Sequence, residues 1–488
     1  MAKKSIVKNY IYHLSYQILA ILIPFITTPY LSRVLGAENI GIYSYTLSIT
    51  TYFILFGSLG VALYGQREIA YCQENIEKRS KAFLEIFWLR FFTLMISMLV
   101  FYFTFCSSLE YQIYYKILTL EILASAIDIS WYFQGLEEFK KTVMRNMLVK
   151  IISVICIFLF VRSEHDLNHY LLIYVLANLL GNLSLWIYLP RVIKRVKFKE
   201  LNFVKHMKPM MILFIPQIAT QIYTVLDKTM IGAIIHDKAE VGYYEQAQKM
   251  IKLLLTIATS FGTVMLPRIA ATYAEGKHTQ IKKYLNHSFQ FIMMIAFPLM
   301  FGIMSVAYQF VPLFYGEGYD KVAPLICIIS PIIVFISLSN IMGTQFLLPT
   351  KQQNKYTLSV CIGAIVNLVL NFLFIKNFAS IGASIATVIA EFSVTFTQFV
   401  LVRKEIRFKE VFQLTYKYLI ASILLFVCSI WVGSLITDHF ESIVIQVGVS
   451  CSVYFLALVV LKDQFLFELT NGVGKKMTRK KKEIREDE

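Results

Sequence analysis

Residues 357–375 read TLSVCIGAIVNLVLNFLFI, nineteen positions without one charged side chain. A helix rises 1.5 Å per residue, so about 20 such residues cross the ~30 Å of hydrocarbon in a bilayer. Four more runs of at least this length lack charge: 39–66, 170–189, 288–308 and 443–461. Working outward from these, the pattern divides into about fourteen apolar spans: 9–32, 40–65, 83–106, 111–134, 144–162, 170–189, 209–233, 242–266, 286–309, 323–347, 357–375, 380–402, 416–436 and 443–461. Composition agrees: of 488 residues 57% are hydrophobic and only 16% charged, against about 25% charged in an ordinary soluble domain. The mean hydropathy is +0.61. No soluble core of this length absorbs so much apolar surface.

The net charge of +16 is a topology signal rather than a nucleic-acid footprint, because the basic residues gather in alternate short loops. The tails and even-numbered loops hold 36 of the 47 lysines and arginines; the opposite loops hold five, Arg33, Arg162, Lys238, Lys321 and Lys376. That asymmetry places both termini in the cytoplasm. The first apolar run, starting near Asn9, reads as an uncleaved signal-anchor. The seven cysteines form no CxxC pair and the eight histidines show no metal-ligand spacing, so neither a disulfide framework nor a metal site is expected. No phosphate-binding glycine loop of the GxxxxGK[ST] type is present, which argues against ATP hydrolysis as the energy source; no cofactor is expected.

The basic stretch 191–208 falls between spans six and seven and divides two halves that echo one another. Ala37-Glu38-Asn39-Ile40-Gly41-Ile42-Tyr43 opens span two, and Ala239-Glu240-Val241-Gly242-Tyr243-Tyr244 opens span eight. Gly41 to Arg67 and Gly242 to Arg268 are the same 26-residue step. Pro24 in span one matches Pro216 in span seven, and each removes a backbone donor and bends its helix. Two repeats of six spans that start on the same side are related by an axis along the membrane normal. The expected organisation is therefore an N-terminal lobe (1–190), a cytoplasmic linker (191–208), a C-terminal lobe (209–402), two further spans (403–461) and a basic cytoplasmic tail (462–488).

Three segments carry a resemblance to a known family. They are Thr28-Pro29-Tyr30-Leu31-Ser32-Arg33-Val34-Leu35-Gly36 running on to Gly41-Ile42-Tyr43, then Asp128-Ile129-Ser130-Trp131-Tyr132-Phe133-Gln134-Gly135-Leu136-Glu137, and Asn367-Leu368-Val369-Leu370-Asn371 with Gly382-Ala383-Ser384. In this order they resemble the Wzx-type repeat-unit flippases, the polysaccharide transporter family of the multidrug/oligosaccharidyl-lipid/polysaccharide superfamily. The resemblance implies an all-α integral membrane fold with two six-helix lobes around a central cavity, plus two peripheral helices. It also implies undecaprenyl-pyrophosphate-linked oligosaccharide as substrate, a bacterial cytoplasmic membrane, and a polysaccharide polymerase and chain-length regulator as possible partners.

A charge inside a span costs roughly 2.5–3.5 kcal/mol on insertion scales and needs a cavity or a partner. Six basic residues qualify, Arg90, Lys116, Lys150, Lys228, Lys249 and Lys252, against six acids, Glu85, Glu121, Asp128, Asp227, Glu245 and Glu391. Glu85 is expected to snorkel at its span end, and Arg90 to find Glu121 or Asp128. Glu245, Lys249 and Lys252 step by four and three, so they share a helix face, with two cations to one acid. Surplus positive charge in a wet cavity suits a pyrophosphate head, so Lys249 and Lys252 lead the substrate-binding candidates, followed by Lys228, Arg33, Arg90 and Lys116. Asp128, Asp227, Glu245 and Glu391 are the candidate coupling acids, and Tyr43, Tyr243 and Tyr244 the candidate sugar-stacking rings. Two rival readings stand beside the non-enzymatic flippase: a drug/cation antiporter, which wants an acidic cavity, and a membrane polysaccharide polymerase or glycosyltransferase, which wants a large outer loop or an acidic catalytic motif.

Overall fold

The computed structural model describes residues 6–107, 110–194 and 196–468; the expected basic tail beyond 468 lies outside them. Among the described residues the regular structure is helical throughout. In chain order the helices are α1 (Ile6–Ser58), α2 (Val61–Tyr71), α3 (Ile76–Phe105), α4 (Gln112–Ala126), α5 (Ser130–Gly135), α6 (Phe139–Phe160), α7 (Leu167–Trp186), α8 (Val204–Ile234), α9 (Ala239–Ala274), α10 (His278–Tyr315), α11 (Val322–Ile329), α12 (Ile332–Ser339), α13 (Gln353–Leu401), α14 (Phe408–Gly433) and α15 (His439–Val460). A π-helical segment, Asn340–Leu347, continues α12. Ten helical stretches among the described residues are long and apolar enough to cross a membrane.

The expected spans map onto these helices unevenly. Spans one and two both lie within α1 and are separated by a sharp turn at Gly36 (φ 76°, ψ 171°). That left-handed backbone is open to glycine at little cost. Spans eleven and twelve likewise both lie within α13, separated at Ala379 (φ 48°, ψ −127°), a conformation that strains any residue with a Cβ. Glu240 holds this joint: its Oε2 accepts from the Ser380 amide at 3.1 Å and from the Ser380 hydroxyl at 2.6 Å. Span four is broken, since α4 ends at Ala126 and α5 resumes at Ser130. Asp128 makes the corner, with Oδ1 accepting from the Ser130 amide at 2.9 Å and Oδ2 from its hydroxyl at 3.0 Å.

The chain forms two compact units, cut differently from the expected lobes. The first holds 1–245, 315–318 and 371–383; the second holds 246–314, 319–370 and 384–488. In the first unit α1 packs on α3, α4, α6 and α8, and α2 packs on α5. Its core gathers Trp131, Tyr132 and Phe133 of the quoted ISWYFQG stretch against Phe83, Ile86 and Ile69. In the second unit α14 and α15 pack along one another.

The start of α9 meets α1 through the repeated glycines. A Cβ on Gly41 would sit 1.8 Å from the Lys238 carbonyl oxygen, and one on Gly242 2.0 Å from that of Ala37. Ala37 precedes Gly41 by four residues and Lys238 precedes Gly242 by four. The two contacts are reciprocal, as a half-turn relating the aligned glycines would require. At this seam only a residue without a side chain permits the approach.

Candidate functional site

One cluster of intramembrane charge in the first unit lies where α8 meets α9. Asp227 and Lys228 are neighbours on α8, and Tyr244 and Glu245 are neighbours on α9. They pair in order: the Tyr244 hydroxyl donates to Asp227 Oδ2, and Lys228 Nζ forms an ion pair with Glu245 Oε2. Asn371 of α13 donates its amide to Asp227 Oδ1 at 2.6 Å, which ties a third helix to the pair. Asp227 and Asn371 are buried. At the next position of α8, the Thr229 hydroxyl donates to Ser48 Oγ at 2.8 Å and to the Tyr52 hydroxyl at 3.1 Å. Tyr43 stands edge-on to Tyr170 at 5.0 Å and to Tyr174 at 5.9 Å, an aromatic wall on the same unit.

The other candidates are placed as follows. Arg90 is buried and resolves its two options in favour of Asp128, with an ion pair at 3.7 Å and a hydrogen bond to the Asp128 carbonyl at 2.9 Å. Glu121 instead accepts from the Asn178 amide at 2.9 Å. Lys116 is exposed near the start of α4, and so is Arg33, whose Nη1 donates to the Pro29 carbonyl at 3.4 Å. Lys249 is half-buried and Lys252 exposed on α9, in the second unit, where Lys252 Nζ donates to Gln248 Oε1 at 3.0 Å. Glu245, read from sequence as the acid beside these lysines, carries its ion pair with Lys228. Glu391 is buried in the second unit.

Two networks were missed by the sequence reading. Glu85 does not snorkel: it is fully buried and accepts from the Asn202 amide at 2.7 Å, pairs with Lys205 Nζ at 2.7 Å and meets His206 Nε2 at 2.9 Å. His206 Nδ1 in turn meets the Tyr64 hydroxyl at 2.6 Å. A carboxylate here is stable because its partners come from the linker, 117 to 121 residues away. The same linker is clamped by Arg79, whose Nη2 donates to the Val192 carbonyl at 2.9 Å, and by the Tyr132 hydroxyl on that oxygen at 3.0 Å. Lys238, counted as a loop cation, caps the end of α8, donating to the Gly232 carbonyl at 2.5 Å and lying 5.0 Å over the Tyr45 ring. In the turn after α9, Glu275 at 2.7 Å holds the Lys277 ammonium above the ordinary lysine range.

The profile of the polysaccharide biosynthesis protein family matches residues 6–273, and that of the lipid II flippase MurJ matches 143–449. A putative O-antigen transporter of Escherichia coli strain K12 is 26% identical over 411 residues, covering 82% of this chain and 97% of that protein. The capsular polysaccharide biosynthesis protein CapF of Staphylococcus aureus is 22% identical over 409 residues, covering 79% and 96%. Among solved structures, lipid II flippase MurJ in an inward closed conformation superposes with a TM-score of 0.75 at 16% identity, covering 94% of this chain and 100% of that one. An inward-facing transporter of the multidrug resistance MATE family reaches 0.60 at 12% identity, covering 85% and 97%. These two likenesses describe the fold.

Proposed function

The chain belongs to the polysaccharide biosynthesis protein family of the multidrug/oligosaccharidyl-lipid/polysaccharide superfamily, and from that premise we propose that it flips lipid-linked oligosaccharide repeat units across the cytoplasmic membrane for surface polysaccharide synthesis. The observation that carries this reading is the family match over more than half of the chain, on helices that keep paired charges inside apolar spans. Both termini face the cytoplasm, the protein performs no covalent chemistry, and it works beside a polymerase and a chain-length regulator. The repeat unit, carried on undecaprenyl pyrophosphate, crosses by alternating access while its tail stays in lipid.

Lys249 and Lys252 receive the pyrophosphate. Its charges must leave the aqueous interface, and a cation offsets that desolvation because Coulomb attraction grows as the effective dielectric falls. Lysine supplies point charge without a fixed fork, which suits a head that binds and leaves. Asp227, a buried acid inside an apolar span, couples transport to an ion gradient. It sits beside Lys228, which pairs with Glu245.

The function is tested in a strain lacking the gene, where lipid-linked repeat units should accumulate in the inner leaflet and surface polysaccharide should vanish until the intact gene is restored. Unchanged polysaccharide in that strain overturns the reading. The site is tested separately: Lys249→Ala with Lys252→Ala should abolish export by a protein that still accumulates in the membrane, with Lys→Arg retaining more function than Lys→Gln. Normal polysaccharide from a stable double-alanine variant as the sole copy removes both lysines from the substrate path.

A further inference from the structure

A crevice of about 950 Å³ opens between α6 and α7 in the first unit, away from the charged pairs on α8 and α9. Its size falls within the ~300–1,000 Å³ of small-molecule sites. Two features give it a direction. At one end stand Lys141 and Arg145, both in the first two turns of α6. Beyond them the walls are apolar: Met144, Leu148 and Ile152 line up at four-residue steps on α6, facing Leu180 on α7. From Arg145 to Ile152 the helix descends about 10 Å into hydrocarbon. All four apolar side chains are exposed, so the crevice opens sideways, toward the surroundings of a membrane-spanning helix pair.

The cationic end is built rather than incidental. Lys141 Nζ lies 5.1 Å over the Phe133 ring and 5.1 Å over the Tyr188 ring, with Glu138 at 2.5 Å. These neighbours hold the ammonium at the rim. The Arg145 Nη1 donates to Asn182 Oδ1 at 2.5 Å, which orients the guanidinium plane across the gap between the two helices. A crevice open to lipid cannot stay filled with water along an apolar wall, so its occupant has an acyl chain. Lys141 and Arg145 side by side at the rim favour a negatively charged head.

We propose that this crevice is a binding site for an anionic phospholipid, with the headgroup phosphate between Lys141 and Arg145 and one acyl chain along the Met144–Leu148–Ile152 stripe. The site is distinct from the transport path and holds a resident lipid that braces α6 against α7. With Glu138 offsetting part of the charge, the rim is worth about a fivefold preference for an anionic over a zwitterionic head.

The test uses the full-length protein, purified in maltoside detergent, stripped of lipid and titrated with dioleoyl phosphatidylglycerol or dioleoyl phosphatidylcholine; bound lipids are counted by native mass spectrometry. One phosphatidylglycerol per chain should be retained at collision energies that remove phosphatidylcholine. Lys141→Gln with Arg145→Gln should erase the preference. Because Arg145 also holds Asn182, Lys141→Gln alone is measured as well and should reduce it. Leu180→Trp, which fills the crevice, should lower retention of both lipids. Equal retention of the two lipids by the parent protein, or a preference untouched by the lysine and arginine changes, overturns the proposal. So does a stronger retention of undecaprenyl phosphate at the same residues, which would assign the crevice to the transported lipid instead. The readout is binding, so it stands or falls independently of transport.

Discussion

Substituting alanine at the glycine seam tests the two-fold reading most directly. A Cβ at position 41 would lie 1.8 Å from a backbone oxygen, and one at position 242 would lie 2.0 Å from another. Carbon and oxygen tolerate about 3.3 Å, so the seam must open by roughly 1.5 Å for Gly41→Ala and roughly 1.3 Å for Gly242→Ala. Neither clash involves a side chain that could swing aside. Each single change should therefore cost about 1–3 kcal/mol, the usual penalty for overpacking a well-packed contact. The two-fold relation adds a sharper expectation. One opening of the seam relieves both clashes, so the double variant should cost about as much as the worse single one. A double-mutant cycle should then return about 1–3 kcal/mol of coupling. Denaturation by dodecyl sulfate in mixed micelles, followed by tryptophan fluorescence, supplies the four free energies. Gly302→Ala is the control, since its added Cβ meets no atom within 4 Å. Additive costs, or either single variant within about 0.5 kcal/mol of the parent, would refute a shared seam.

Removing the carboxylate of Glu85 by Glu85→Ala leaves His206 and the Asn202 amide without their acceptor in a buried place, and should destabilise the protein by about 3–5 kcal/mol; the same denaturation assay reads it, and a loss below about 1 kcal/mol would show that water reaches the cluster. Ala379→Gly should be neutral or stabilising by up to about 1 kcal/mol, because glycine relaxes the left-handed joint; a clear loss of stability would mean that the Ala379 methyl packs more than it strains. Cysteines placed at Lys199 and Lys277 should react with a membrane-impermeant maleimide only in opened cells, and one at Glu317 in intact cells; labelling at Lys277 from outside would overturn the topology.

Much of the helical framework was legible because lipid enforces it. A crossing must satisfy its backbone internally and be apolar for about 20 residues, and both demands are written locally. The alignment of Gly41 with Gly242 was legible too, and the close approach explains why both positions lack a side chain. What escaped were partnerships between distant residues. Nothing near Glu85 announces His206, which lies 121 residues on, so an isolated acid near a span end read as a snorkelling one. Asn371 was quoted within a motif, yet its role on Asp227 depends on α13 meeting α8, 144 residues apart in sequence. The break between spans eleven and twelve was legible as the gap 376–379, but its tightness was not: the turn falls on Ala379 rather than on glycine, proline or asparagine, and Glu240 holds it from another helix.

The single-residue joints at Gly36 and Ala379 also bear on how the protein meets its surroundings. Where two helices turn on one residue there is no slack to thread into a protease cleft and no loop for an antibody to grip. Digestion of intact cells should leave both connections whole, and an epitope tag spliced into either would pry apart the helices it joins. The turn between Tyr315 and Val322 is the better place for a handle, since Gly316 and Gly318 already carry the chain through positive φ there (91° and 80°), and added residues at such a turn are tolerated.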